Sequence, residues 1–207
     1  MINPKDFLKA GQQLHGHKCP AMPQGLRAGA AAMNKLGVER AKVSELIALV
    51  ELGDHHCAHC FADGVQMITG CTFGKGNIKQ LNYGKFGLTL IDKATGRSVR
   101  VVPKADVQMQ SKKTKFFTEY RMKGIPASKV PPEFIEPLID KVMNMPEDQL
   151  LNISEITPYE LPKHPDVYSS FVCEECGDMV VESYARVFEG RKVCIPCQEK
   201  LLMKNAK

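Results

Sequence analysis

The chain has 207 residues, 43% hydrophobic and 25% charged, a composition that excludes wholesale disorder. Because single domains often run to about 100–200 residues, this length predicts one sizeable core and a small second domain. The net charge of +5 is modest, so nucleic-acid contact is the less favoured expectation. With no signal-peptide pattern and no apolar run of roughly 18 residues, we expect a cytoplasmic protein without membrane contact.

The N-terminal part predicts two helices around a loop. Residues 4–14 and 23–36 have helical character, and Gly37 marks the end of the second helix. Between them, HGHKCP contains Gly16 and Pro20, which predict a loop that presents His15, His17 and Cys19. Small residues at near-helical spacing indicate that another element packs closely against the second helix: Gly25, Ala28, Gly29 and Ala32.

The middle of the chain predicts strands and a third helix. Residues 46–52, LIALVEL, have strand character, and a helix is expected to run from His56 to about Thr69. Residues 82–91 and 98–102 predict a hairpin whose turn places Gly96 at positive φ. The elements expected after this hairpin are helices over 106–122 and 133–143 and a closing strand over 150–156.

These elements predict an α+β fold. The core domain, residues 1–156, should combine mixed helices with an antiparallel sheet. Residues 157–170 contain three prolines among polar residues, and we interpret them as a linker. Residues 171–207 are expected to form a small treble-clef zinc finger.

The finger is predicted from paired cysteines. Cys173 and Cys176, then Cys194 and Cys197, form two C-x2-C pairs, and such pairs supply the four thiolates of a tetrahedral zinc site. Since the protein would fill all four positions, this zinc is expected to be structural. A domain this small depends on the metal for most of its folding free energy.

A second cluster lies in residues 54–77, which hold three of the eight cysteines and three of the six histidines. We predict a core transition-metal site, zinc the favoured ion, in which Cys60 joins His17 and Cys19; these three are also the catalytic candidates. Three ligands with an exchangeable fourth position are typical of a catalytic metal. The reserve ligands are His15, Asp54, His56, Cys57 and Cys71.

Two other interpretations of this cluster stay open. The cysteines and histidines could be buried structural residues, or Cys57 and Cys60 could form a redox pair in C-x2-C spacing. Cys60 and Cys71 cannot share an ion through one unbroken helix, which would separate them by about 16 Å at 1.5 Å per residue.

The glycine-rich segment after Cys71 is a weak candidate for anion binding. Its backbone amides could hold a carboxylate or phosphate beside the metal, and the residues are Gly74, Lys75, Gly76 and Asn77. A tight turn with a solvated lysine explains the same sequence equally well.

The motifs taken together resemble a known family. HGHKCP, then Cys60 followed by DGVQ, then TGCTFGKGN, YGK and TGRSVRV are similar to the FmdE family, named for a component of molybdenum or tungsten formylmethanofuran dehydrogenase. The resemblance implies an α+β core, a homodimer and a site lined by His17, Cys19 and Cys60, with Cys71 nearby. Ala21 departs from the family pattern, in which a glycine follows the proline of HGHxCP, and residues 55–59 hold more ligand-type side chains than usual.

The resemblance implies a metal-binding subunit or accessory of formylmethanofuran dehydrogenase, or a role in related one-carbon metabolism, with dehydrogenase subunits as partners. It does not settle whether the chain is itself an oxidoreductase. The alternative is a metal-sensing regulator or adaptor whose finger contacts protein or nucleic acid.

Overall fold

The computed structural model describes residues 1–54, 59–161 and 167–205. The chain divides into two compact units, Met1–Leu161 and Pro162–Lys207. The predicted α+β class is confirmed, since both helices and strands build the first unit. In the part of the chain that the structure describes, no helix is long and apolar enough to span a membrane.

The first unit combines a sheet with helices. Its helices are α1 (Leu8–His15), α2 (Ala21–Leu36), α3 (Cys60–Thr69), α4 (Ala105–Ser111), α5 (Pro132–Asn144) and α6 (Glu147–Leu150). Its strands are β1 (Leu46–Val50), β2 (Ile78–Gln80), β3 (Leu88–Asp92), β4 (Arg97–Pro103), β5 (Leu151–Ile153) and β6 (Thr157–Pro158).

The sheet has the strand order β2-β1-β3-β4-β5, and β6 also pairs with β4. The β1–β3, β3–β4 and β4–β5 pairs are antiparallel, but β2 runs parallel to β1, with Ala48 opposite Ile78. The sheet is therefore mixed, which corrects the expected antiparallel sheet. The predicted hairpin joins β3 and β4, and Gly96 in its turn has a φ of 67°.

Three predicted elements differ from those observed. The expected strand over 82–91 begins only at Leu88, because Asn82 and Gly84 take left-handed φ values of 59° and 68°. The expected helix over 106–122 stops at Ser111, where the Thr114 hydroxyl donates to the Ser111 carbonyl oxygen and competes with helical hydrogen bonding. A π-helical turn, Phe116–Tyr120, follows this break. Finally, Thr157 pairs with Ser98 of β4, although the sequence predicts little regular structure there.

Helix α2 is the centre of the first unit. It is buried along almost its whole length, as expected of a helix with neighbours on every side. The close approach predicted from its small residues is made by α3: a Cβ added to Gly25 would clash with the Phe61 carbonyl oxygen, and one added to Gly64 with the Met22 carbonyl oxygen. Backbone therefore packs on backbone, and the N-terminal ends of the two helices lie together.

The second unit has two small hairpins and a helix. β7 (Ser170–Val172) pairs with β8 (Met179–Val181), β9 (Arg186–Phe188) pairs with β10 (Arg191–Val193), and α7 spans Ile195–Asn205. The second hairpin turns at Glu189 and Gly190, which have φ values of 48° and 80°. Because its buried cluster contains cysteines rather than a large apolar core, this unit needs its metal to fold.

Candidate metal centre

Four side chains of the first unit converge in one cluster. Their ligand atoms all lie within 4.8 Å of one another, and the residues are His15, His17, Cys19 and Cys60. His15 is the last residue of α1, and Gly16, with φ 80°, turns the chain so that His17 and Cys19 return to the same point. Cys60 is the first residue of α3.

The spacing of these atoms fits a tetrahedral metal. The Nε2 atoms of His15 and His17 lie 3.2 Å apart, and the Sγ of Cys19 lies 3.5 Å from Nε2 of His15. Metal–nitrogen bonds of about 2.0 Å and metal–sulfur bonds of about 2.3 Å place two nitrogens about 3.3 Å apart and a nitrogen and a sulfur about 3.6 Å apart. A zinc-sized ion therefore fits the four ligands without rearrangement.

Each imidazole is oriented through its other nitrogen. Nδ1 of His15 lies 2.7 Å from Oδ2 of Asp63, and the His15 side chain is only 7% exposed. The other carboxylate oxygen of Asp63 accepts from Gln66 at 3.2 Å. His17 is hydrogen-bonded to the His15 backbone. Such outer contacts fix the tautomer that leaves Nε2 free to bind a metal.

Replacing Asp63 with asparagine should weaken metal binding at this cluster by about 10–100-fold, because the carboxylate that orients His15 and raises its basicity is lost. The measurement is a competition titration of the metal-loaded chain against a chromophoric chelator. Asp106→Asn, in the first turn of α4, is the matched control and should leave the affinity unchanged. An Asp63→Asn variant that binds as tightly as the parent would contradict this role.

The two thiols behave as one proton-sharing pair. A hydrogen bond from Cys60 lowers the pKa of Cys19 to about 7, and the backbone amides of Met22 and Ala21 at the start of α2 add to this effect. The same hydrogen bond raises the pKa of Cys60, as does its burial. Burial lowers the pKa of His17, and the charges of His15 and Arg121 act in the same direction. Neutral imidazole beside a thiolate is the state that a metal ion needs.

The cluster contains His17, Cys19 and Cys60 as predicted, and His15 moves from reserve to the set. Four ligands from the protein replace the expected three with an exchangeable fourth position. Asp54 instead accepts a hydrogen bond from Gln80, and Cys71 is fully buried outside the cluster. His56 and Cys57 lie outside the described residues, and so does the redox pairing of Cys57 with Cys60.

The glycine-rich turn differs from the expected anion-binding loop. Lys75 donates to the Ala41 carbonyl oxygen at 3.1 Å, and its amide donates to Thr72. The Gly76 amide bonds within the turn, and the buried Asn77 side chain binds backbone groups on both sides of it. Because these donors are satisfied within the protein, Gly74, Lys75, Gly76 and Asn77 form a structural turn.

The core cluster opens on a cavity of about 220 Å³. His17, Cys19 and Cys60 form part of its wall. Phe116 and Phe117 of the π-helical turn, with Arg121 just after it, also line the cavity. Sequence reasoning missed these residues, because they lie far along the chain from the ligands and carry no local motif.

The second unit holds the other metal cluster. The ligand atoms of Cys173, Cys176, Cys194 and Cys197 lie within 4.8 Å of one another, with 3.9 Å between the sulfurs of Cys176 and Cys194. Tetrahedral zinc places two thiolates about 3.8 Å apart. The backbone amide of Cys176 is the main reason that the pKa of Cys173 falls to about 6, which favours the thiolate.

This fold and these clusters define a metal-binding α+β protein with an appended four-cysteine zinc finger. Residues 14–152 match the family model described as FmdE, Molybdenum formylmethanofuran dehydrogenase operon, and the chain belongs to this family. Residues 167–201 match the model of the prokaryotic dksA/traR C4-type zinc finger. The second match agrees with the four cysteines that the second unit brings together.

Two individual proteins are also similar to this chain. A curated protein from Archaeoglobus fulgidus, named a probable S-adenosyl-L-methionine-binding protein, is 31% identical over 202 residues, 92% of this chain and 52% of that protein. The chain thus spans about half of that relative. The crystal structure of an FmdE-like protein of tungsten formylmethanofuran dehydrogenase, from Syntrophus aciditrophicus, has a TM-score of 0.61 at 19% identity, covering 95% of this chain and 92% of that one. The latter likeness concerns the fold.

Proposed function

We propose that the core cluster holds a zinc ion that ligands can reach, and that the chain serves as a metal-binding subunit or accessory of a molybdenum or tungsten formylmethanofuran dehydrogenase, or in related one-carbon metabolism. The observation that carries this proposal is the cavity on which His17, Cys19 and Cys60 open. A purely structural ion has no need of such a cavity. The name of the family supports the metabolic assignment.

Zinc is the ion that the ligand set favours, since two thiolates and two imidazoles in tetrahedral spacing suit it well. When bound, zinc supplies Lewis-acid chemistry to a group in the cavity. The chain's residues hold the ion and limit access to it. A ligand can enter by expanding the coordination to five or by replacing His17, whose imidazole faces the cavity.

The cavity favours a ligand smaller than S-adenosylmethionine. The name of the Archaeoglobus relative refers to that compound, but this chain spans only 52% of that protein. Proteins often bind the ribose hydroxyls of such cofactors through an acidic side chain. The described residues that line the cavity include no carboxylate.

The metabolic assignment is tested by reconstitution. The chain is mixed with the purified subunits of a formylmethanofuran dehydrogenase from an organism that encodes this chain, and both association and dehydrogenase activity are measured. We expect the metal-loaded chain to associate and to raise activity, and the Cys60→Ser variant to associate without raising it. A chain that neither binds the subunits nor changes their activity would contradict the assignment.

A second candidate is an adaptor whose finger contacts another protein, and the surface of the finger favours it over nucleic-acid binding. Val172 and Met179 face each other across β7 and β8 and are 63% and 79% exposed. The basic residues Arg191 and Lys192 are already paired with Glu175 and Glu182, at 2.6 Å and 2.8 Å.

The adaptor proposal predicts no salt-dependent association with DNA or RNA, and binding that is lost when Arg191 and Lys192 are replaced would contradict it. The homodimer implied by the family resemblance is part of the leading proposal, and light scattering tests it. A chain that scatters as a monomer at every concentration would contradict the dimer alone.

A further inference from the structure

The cavity beside the core cluster contains a guanidinium group without a counter-ion. Arg121 lines the cavity together with His17 and Cys60. One of its nitrogens, Nη1, donates to the Ile125 carbonyl oxygen at 2.7 Å and fixes the side chain to its own turn. Among the ion pairs formed by described residues, none includes Arg121. Its remaining N–H groups are therefore available to an acceptor in the cavity.

A second cavity, of about 300 Å³, adjoins this region. Phe117 and Arg121 line both cavities, and Lys112 and Met122 line only the second. The guanidinium is thus bordered by a metal site on one side and by another basic side chain on the other. An aromatic ring beside it gives an apolar surface for the body of a ligand.

The metal site does not balance the charge of Arg121. A divalent ion with two thiolates and two neutral imidazoles carries no net charge. The carboxylate of Asp63 is engaged by His15 and by Gln66. An unpaired, partly buried guanidinium is stabilised by a carboxylate, whose two oxygens match its paired N–H groups.

We propose that the cavity binds a small organic carboxylate, with a metal-binding group at one end directed to the core ion and its carboxylate paired with Arg121. This inference rests on the proposed function, because it requires an ion that ligands can reach. The volume, about 220 Å³, limits the size of the ligand. It equals about seven water molecules at roughly 30 Å³ each, enough for a compact acid but not for a nucleotide.

The test uses two probes with the same metal-binding ring. Imidazole-4-acetate carries the carboxylate and 4-methylimidazole lacks it, and each is titrated calorimetrically into the full chain loaded with zinc. We expect the parent to bind imidazole-4-acetate about tenfold more tightly, since a hydrogen-bonded charge pair contributes at least that much. Arg121→Gln should lose this preference and keep its affinity for 4-methylimidazole, which shows that the cavity is intact.

Lys123→Gln is the matched control, because Lys123 lies in the same turn and is exposed. It should keep the full preference for the acid. Equal binding of the two probes by the parent would overturn the inference and leave the proposed function standing. Binding of neither probe would overturn both, since the ion would then be closed to ligands. A preference that survives Arg121→Gln would assign the carboxylate to another residue and overturn the role of Arg121.

Discussion

Replacing Gly25 with alanine should lower the free energy of unfolding of the first unit by about 3 kcal/mol and loosen the core metal site. The added methyl group would clash with the Phe61 carbonyl oxygen. Overpacking of a tight interface usually costs about 1–3 kcal/mol, and the upper part of that range is expected because rigid backbone cannot move aside. Denaturant unfolding followed by circular dichroism measures the change.

The metal site is expected to weaken with the same substitution. Cys19 precedes α2 and Cys60 begins α3, so a wider separation of the two helices moves one thiolate away from the other. Gly74→Ala is the matched control, since an added Cβ there meets nothing within 4 Å. A Gly25→Ala protein as stable as the Gly74→Ala protein would show that the two helices do not pack in this way.

The second large effect is expected for Cys60→Ser, which should remove the core ion and leave the finger ion in place. Serine keeps the size of the side chain but is a poor ligand for zinc. Titration of the metal-free chain with cobalt should reach its end point at two equivalents for the parent and at one for the variant. The thiolate-to-cobalt absorption that remains should be that of a four-sulfur site.

Cys71→Ser is the control for this variant. Cys71 is fully buried and lies outside the cluster, so this variant should still take up two equivalents of cobalt. If Cys60→Ser also took up two, the four clustered side chains would not form a metal site. The interpretation of Cys19 and Cys60 as buried structural residues would then stand.

The sequence predicts much of the fold, because many of its signals are local. The turn at Gly96 and the small residues along α2 each determine a structure within a few residues of themselves. Strand β2 escaped prediction because Ile78–Gln80 is short and mostly polar, and its parallel pairing with β1 depends on a distant segment. The break after Ser111 depends on one hydroxyl, which a helical pattern does not reveal.

The site was predictable where helical geometry constrains it. That geometry requires Cys60 to find its partners in another segment, and HGHKCP is the segment that the fold supplies. His15 was expected within the loop, but it ends α1, where its backbone is fixed and its ring meets Asp63. The cavity could not be predicted, because Arg121 and the phenylalanines reach the cluster only through tertiary packing.

The number of transition-metal ions bound per unmodified chain tests the central claim most directly. The chain is purified without chelators, and all first-row metals are counted by plasma mass spectrometry against the protein concentration. Two clusters with tetrahedral spacing predict two ions per chain. A count of one, whatever the metal, would contradict a metal centre in the first unit and leave only the zinc finger.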